Sequence, residues 1–300
     1  MFFKYFIFMF HYMFGVGFYM FIERKLLGLG NFREGPNKVL FKGYFQFIYD
    51  MIKLLVKSWI ELINFMYLTY FFIPMFLLIN VFIMWILLPF NSMILNKEFS
   101  LFYLVILMVI KMFYLVLMVF FIYSIYSYIS MIRMVIQIIS YDIIIILVIL
   151  FFLIMYVDTD YSMFVMNMNN LNILNLNVFF FWFMSVMVEL IRLPFDFYEG
   201  ESELISGFNI EYGSLTFLIL VLVEYLEMIY FMFITVLFFI NFYLYKLNFS
   251  LILFVLVYFL IWLRVFLVRY RMDKMLIVLW KFIFPFLMLF IFIYYFLNFI

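Results

Sequence analysis

The chain has no cysteine, no alanine and a single histidine, and it holds only 5 prolines and 9 glycines in 300 residues. Without cysteine there is no disulfide, no thiolate metal site and no ligand set for an iron–sulfur cluster. The lone His11 cannot build a histidine metal centre either, so no metal site is expected and any electron carrier must sit on another chain. Charge is scarce as well: 12% of the residues are ionic and the net charge is +1, which leaves no basic surface for nucleic acid. What remains is 72% hydrophobic, with a mean hydropathy of +1.27, more apolar surface than a water-facing globule can bury. The composition therefore predicts an all-α polytopic membrane protein.

The absence of alanine has no physical cause, because alanine packs well between membrane helices. The 50 Phe and 25 Tyr, with abundant Ile and Asn, instead follow A/T-rich codons, which points to a small organellar genome and to helix contacts built from interlocking aromatics.

A helix needs about 20 apolar residues to span a bilayer. On that measure eight spans are expected, at residues 2–22, 66–89, 101–126, 135–157, 174–190, 214–243, 251–268 and 279–299, within one transmembrane domain covering 1–300. No small-residue cleavage site follows the first run, so it is read as a span. Lys and Arg concentrate in the first, third, fifth and seventh gaps, which predicts that these loops share one side, with both termini opposite. The long first loop, 23–62, carries Tyr44, Phe47, Ile48, Met51, Leu54, Leu55 and Trp59 at helical spacing, and an interfacial amphipathic helix is expected over 43–62.

On the same side lies an acidic island, 191–213 with Glu189 just before it. Glu189, Arg192 and Asp196 are three and four residues apart, so while a helix persists they share a face and can pair, although Pro194 is expected to distort or end that helix. Glu199, Glu201 and Glu203 alternate and crowd like charges, which eases proton uptake near neutral pH, and Glu211 closes the island. Inside a span, Glu224 and Glu227 stand three apart beside Tyr225, and Arg133, Gln137 and Tyr141 step by four next to Asp142. Each pair has a bland reading, a salt bridge joining helices. Glu224 has no cation on its own segment, which favours a functional role, because ionisable groups in a bilayer are costly.

Several blocks occur together: Glu23-Arg-Lys-Leu-Leu-Gly28, Arg33-Glu-Gly-Pro-Asn37, Arg133 with Gln137 and Ser140-Tyr-Asp142, all of Glu189 to Tyr212, Glu224-Tyr225, Trp262-Leu-Arg264, and Arg269-Tyr-Arg-Met-Asp273. In order and spacing they resemble membrane subunit 1 of NADH:quinone oxidoreductase, respiratory complex I, the subunit counted as number 8 in bacteria. Departures from the family pattern are Asn31, Leu40-Phe41, Leu190-Ile191, Asp142 and Val268, which alter loop shape and the reach of one carboxylate.

The resemblance implies a core subunit of a proton-pumping enzyme in the mitochondrial inner membrane, basic loops in the matrix and termini in the intermembrane space. It implies ubiquinone as substrate, reached through a tunnel shaped by Arg24, Arg33, Phe208 and Tyr225. It further implies a proton or charge relay through Asp142, Glu189, Glu201, Glu203, Glu211 and Glu224, with ion pairs involving Arg133, Arg192, Asp196, Glu199, Glu227, Arg264, Arg269 and Arg271. No cofactor is expected on this chain; FMN and iron–sulfur clusters are implied on partner subunits. Those partners are the quinone-site subunits of the peripheral arm and the antiporter-like membrane subunits, with membrane lipids around them. The residues alone also allow an autonomous cation–proton secondary transporter, but such proteins carry repeated halves and this chain has one acidic block without a counterpart. The equivalent subunit of a membrane-bound hydrogenase is a further alternative, against which the organelle-like composition speaks.

Overall fold

A computed structural model describes residues 2–37, 40–57, 67–88, 99–121, 124–156, 173–197, 212–239 and 246–299, and among these there is no strand. The helices are α1 (Phe2–Gly30), α2 (Leu40–Gly43), α3 (Gln46–Val56), α4 (Tyr67–Ile86), α5 (Ser100–Phe120), α6 (Ile125–Tyr156), α7 (Ile173–Glu189), α8 (Ser214–Phe239), α9 (Lys246–Phe266), α10 (Met272–Val278) and α11 (Phe284–Phe299). Between α10 and α11 the chain makes a π-helical turn, Leu279–Ile283, just ahead of Pro285, which has no N–H for the carbonyl four residues back.

Helix is the form in which so apolar a chain satisfies its own backbone. Among the described residues four helices are long and apolar enough to cross a membrane: Ser100–Phe120, Ile125–Met155, Ser214–Phe239 and Met272–Phe296. Three shorter apolar helices accompany them, Tyr70–Ile86, Leu176–Glu189 and Ser250–Phe266. Several boundaries differ from the sequence expectation, two of them most. Helix α1 continues past Ile22 to Gly30, carrying Glu23 and Arg24 on helical backbone, and α6 begins at Ile125, inside what was expected to be the end of the third span.

Helix α8 lies at the centre, packed against α4, α1, α3, α7 and α9. Its Tyr230, Phe231 and Ile234 are fully buried. Aromatic rings replace the missing small residues at the contacts: Trp85 meets Tyr12 at 3.9 Å and Tyr230 at 5.8 Å between ring centres, and Phe238 meets Phe152 at 4.9 Å and Trp182 at 5.2 Å. The outer faces are apolar as well. Phe102, Ile106, Val109 and Phe113 form an exposed stripe on α5 at helical spacing, the signature of a lipid-facing surface.

Helix α3 is amphipathic and seats its one buried residue, Phe47, on Gly17 of α1, where a Cβ would lie 2.3 Å from the ring. The turn leading into α3 depends on Gly43, whose φ is +89 and whose Cβ would fall 2.3 Å from the Pro36 carbonyl oxygen. Gly43→Ala is therefore expected to cost about 1–3 kcal/mol, seen as faster proteolysis of 31–57 in the detergent-solubilised protein. Gly15→Ala, with nothing within 4 Å of the added Cβ, should leave cleavage unchanged.

Candidate functional site

Under α3, between α1 and α8, lies a mostly apolar cleft of about 170 Å³, lined among others by Met20, Phe47, Met51, Leu218 and Tyr225, with Arg24 and Pro36 at its rim. Arg24 pairs with Asp50 of α3 at 2.8 Å across that rim. Both groups are well exposed, so the pair closes the rim but adds little stability.

The inner end of the cleft is Tyr225. Its hydroxyl donates to Glu23 Oε2 at 2.7 Å, while Glu23 Oε1 receives Arg264 Nη1 at 2.6 Å and Arg192 Nη1 at 3.5 Å. The Arg192 guanidinium also lies over the Tyr225 ring at 4.5 Å. One buried carboxylate thus ties α1, α8, α9 and the segment after α7 together. Burial works to lower the Arg192 pKa, but Glu23, with Tyr225, Glu224 and Tyr19 beside it, outweighs burial and holds the guanidinium charged.

The expected pairing of Glu189 with Arg192 required a helix that persists past Glu189, and it does not persist. Helix α7 ends at Glu189, and Ile191 takes a left-handed conformation at φ 51, costly for a β-branched residue. The four-residue spacing then no longer means a shared face, and Arg192 turns to α1. Asp196 is half-buried beyond the turn. Gln137 of α6 holds this segment, its amide nitrogen donating to the Val188 carbonyl at 2.9 Å and the Phe195 carbonyl at 3.0 Å.

Glu189 turns the other way. Lys111 of α5, deep in an apolar helix, places its Nζ 2.6 Å from Glu189 Oε1 and 2.7 Å from Glu227 Oε2, and all three side chains are buried. Asp142 of α6, also buried, is close enough to feel the charges of Glu189 and Lys111. Among the described residues one cation therefore faces three carboxylates, and Glu189 Oε2, Glu227 Oε1 and Asp142 Oδ1 find no hydrogen-bond partner. A second cavity, about 40 Å³, is lined by Lys111, Glu189, Glu224 and Glu227, room enough for water. Glu224 also feels the charge of Arg192, so it stands between the Glu23 hub and the Lys111 triad.

The structure thus brings Tyr225, Glu23, Arg192, Arg264, Glu224, Lys111, Glu227, Glu189 and Asp142 into one continuous set. Arg133, Arg269 and Arg271 gather elsewhere, around a polar cleft of about 650 Å³, where Arg271 pairs with Asp273 at 2.9 Å and Arg269 lies 6.0 Å from the Phe197 ring centre. Arg33 is exposed on the loop after α1. Glu199, Glu201, Glu203, Phe208 and Glu211 lie outside the described residues. Two members of the set were not among the residues singled out from the sequence as site residues, Glu23 and Lys111. A lysine in the middle of an apolar run is a signal in itself, since such a charge is costly unless paired or used. Among the described residues no group of three or more His, Cys, Asp and Glu could hold a metal ion.

Removing Lys111 would leave buried carboxylates with no cation. Lys111→Met is expected to cost about 3–5 kcal/mol, read as loss of assembled, heat-stable protein on native gels. Adding Glu227→Gln to that variant should recover part of the loss. Wild-type levels of Lys111→Met would show that the triad does not hold the bundle together.

The sequence profile of the family described as NADH dehydrogenase matches residues 3–295. The chain is 31% identical over 285 residues to NADH-ubiquinone oxidoreductase chain 1 of Apis mellifera ligustica, covering 94% of this chain and 93% of that protein. It is also 31% identical to the protein of the same name from Aedes aegypti, covering 91% and 88%, and 31% identical to that from Locusta migratoria, covering 93% and 90%. By the match over most of its length and by the relatives it parallels nearly end to end, the chain belongs to the NADH dehydrogenase family, with the chain 1 subunits of NADH-ubiquinone oxidoreductase as its relatives.

Proposed function

We propose that this chain is the membrane subunit of a proton-pumping NADH:ubiquinone oxidoreductase through which quinone approaches its electron donor and quinone reduction is coupled to proton movement. The observation that carries this reading is continuity. The apolar cleft under α3 ends at Tyr225, which bonds Glu23. Glu23 holds Arg192, Arg192 faces Glu224, and Glu224 opens on the cavity of Lys111, Glu189 and Glu227 with Asp142 beyond.

The cleft suits an amphiphile, because its walls are apolar and its one buried hydroxyl and its rim arginine are polar. Arg24, Arg33, Phe208 and Tyr225 shape the quinone path. Quinone takes up two electrons and two protons to become quinol. The electrons come from partner subunits that carry FMN and iron–sulfur centres, since this chain has no cysteine to bind a cluster. Negative charge arriving at quinone competes with Glu23 for Arg192 and for the Tyr225 hydroxyl proton. That weakens the hold of Arg192 on its surroundings, and Glu224, Glu227, Glu189 and Asp142 respond by taking up or releasing protons. Glu201, Glu203 and Glu211 belong to the same relay.

The eight long apolar segments, α1, α4 to α9 and the continuous helix from α10 to α11, form the spans in the mitochondrial inner membrane. Helix α3 lies in the interface. The basic loops face the matrix and both termini the intermembrane space. Helices α1 and α9 run in the same sense, Gly30 resting against Val265 near their C-terminal ends, as this topology requires.

Glu224→Gln in the assembled enzyme is expected to lower quinone-reductase turnover about tenfold or more, with fewer protons moved per electron. NADH oxidation by a water-soluble artificial acceptor should stay normal. Normal turnover with a normal proton-to-electron ratio would remove Glu224 from the relay.

A further inference from the structure

Helices α1 and α9 touch near their C-terminal ends, where Gly30 rests on Val265. Away from that contact a groove of about 240 Å³ opens between them, walled by Gly15, Ile22 and Leu26 of α1 and by Ser250, Val257 and Ile261 of α9. On both helices these residues follow one another at intervals of seven and four, so each keeps one face on the groove for about 16 Å at about 1.5 Å per residue. Gly15 leaves one end open, since an added Cβ there would meet nothing within 4 Å.

The other end runs up to the Glu23 hub. Tyr19, Ile22 and Leu26 line the groove, and Glu23 lies on that same face of α1, one turn after Tyr19. Arg264 follows Ile261 by three residues on α9; its Nη1 reaches Glu23 at 2.6 Å while 28% of its side chain stays exposed. The cleft under α3 meets α1 on another side, at Met20, Phe21 and Arg24, and the groove and the cleft have no described lining residue in common. The hub is thus approached from two directions.

We propose that this groove binds an anionic phospholipid, with one acyl chain lying between α1 and α9 and the phosphate meeting Arg264. The space is long, apolar and slender: a helix about 10–12 Å across is too wide for it, whereas a single alkyl chain fits. Charge selects the headgroup. Arg264 and Arg192 already share the one Glu23 carboxylate, so the hub holds cationic charge to spare. A guanidinium keeps donors for a phosphate after one nitrogen is engaged, and basic pockets between membrane helices hold anionic headgroups. A zwitterionic lipid would bring its own cation to the same arginine. The proposal stands apart from the quinone reading, which makes no use of this groove.

The test is photolabelling of the native assembly in mild detergent with a phosphatidylglycerol that carries a diazirine near the end of one acyl chain. In the wild type, label is expected on segments 15–26 and 250–261, displaced about fivefold more effectively by unlabelled phosphatidylglycerol than by phosphatidylcholine. Gly15→Leu, which puts a side chain into the open end of the groove, should remove most of that label, and Gly15→Ala should keep it. Ser250→Leu fills the groove from the opposite wall and should act as Gly15→Leu does. Wild-type label that avoids both segments, or equal displacement by the two lipids, would overturn the proposal, the latter marking ordinary contact with bilayer lipid. Displacement by ubiquinone and not by phospholipid would give the groove to a quinone tail instead, and a neighbouring membrane chain cross-linking there in place of lipid would give it to a partner.

Discussion

Charge inside an apolar bundle has to be paired, and this protein meets that requirement with two hubs of opposite sign. Glu23 is a carboxylate held by two arginines and a tyrosine hydroxyl, and Lys111 is a cation held by two carboxylates. Each joins helices far apart in sequence, Glu23 reaching Arg264 and Lys111 reaching Glu227. Burying ions in this way gains little net stability over apolar packing, yet losing one partner is severe. The hubs therefore fix which helices meet, and the aromatic contacts fill the space between them.

The two hubs differ in their balance of charge, and that difference gives the site its chemistry. Around Glu23, Arg192 and Arg264 outnumber the carboxylate, which suits a place where negative charge develops. Around Lys111, Glu189, Glu227 and Asp142 outnumber the cation and leave oxygens without partners, which suits protons that come and go. Glu224 lies between, beside Arg192 and at the cavity of the triad. Under the proposed function, a change at the first hub is felt at the second through this neighbouring group.

The helices were legible because long apolar runs leave the backbone no alternative, and the amphipathic pattern of α3 was legible from its spacing. The partners of the charges were not. Glu189 and Arg192 are three apart, but the helix ends at Glu189 and the left-handed Ile191 sends them to different helices. Glu23 fell just beyond the expected first span, yet α1 runs on to Gly30 and keeps it buried. Lys111 was absorbed into an apolar run whose average hid it, and its partners lie 78 and 116 residues away, where local spacing carries no information. The family resemblance named the charged residues; only three-dimensional packing pairs them.

The central claim is that the cleft under α3 admits quinone and ends at the Glu23 hub. The most direct test is photolabelling of the native assembly with a photoreactive short-chain ubiquinone analogue, followed by mapping of the labelled peptides. Labelling of segments 46–54 and 217–225, suppressed by excess unlabelled ubiquinone, is the predicted result. Competed labelling that falls only on the outer faces of α5 or α11 would contradict the account.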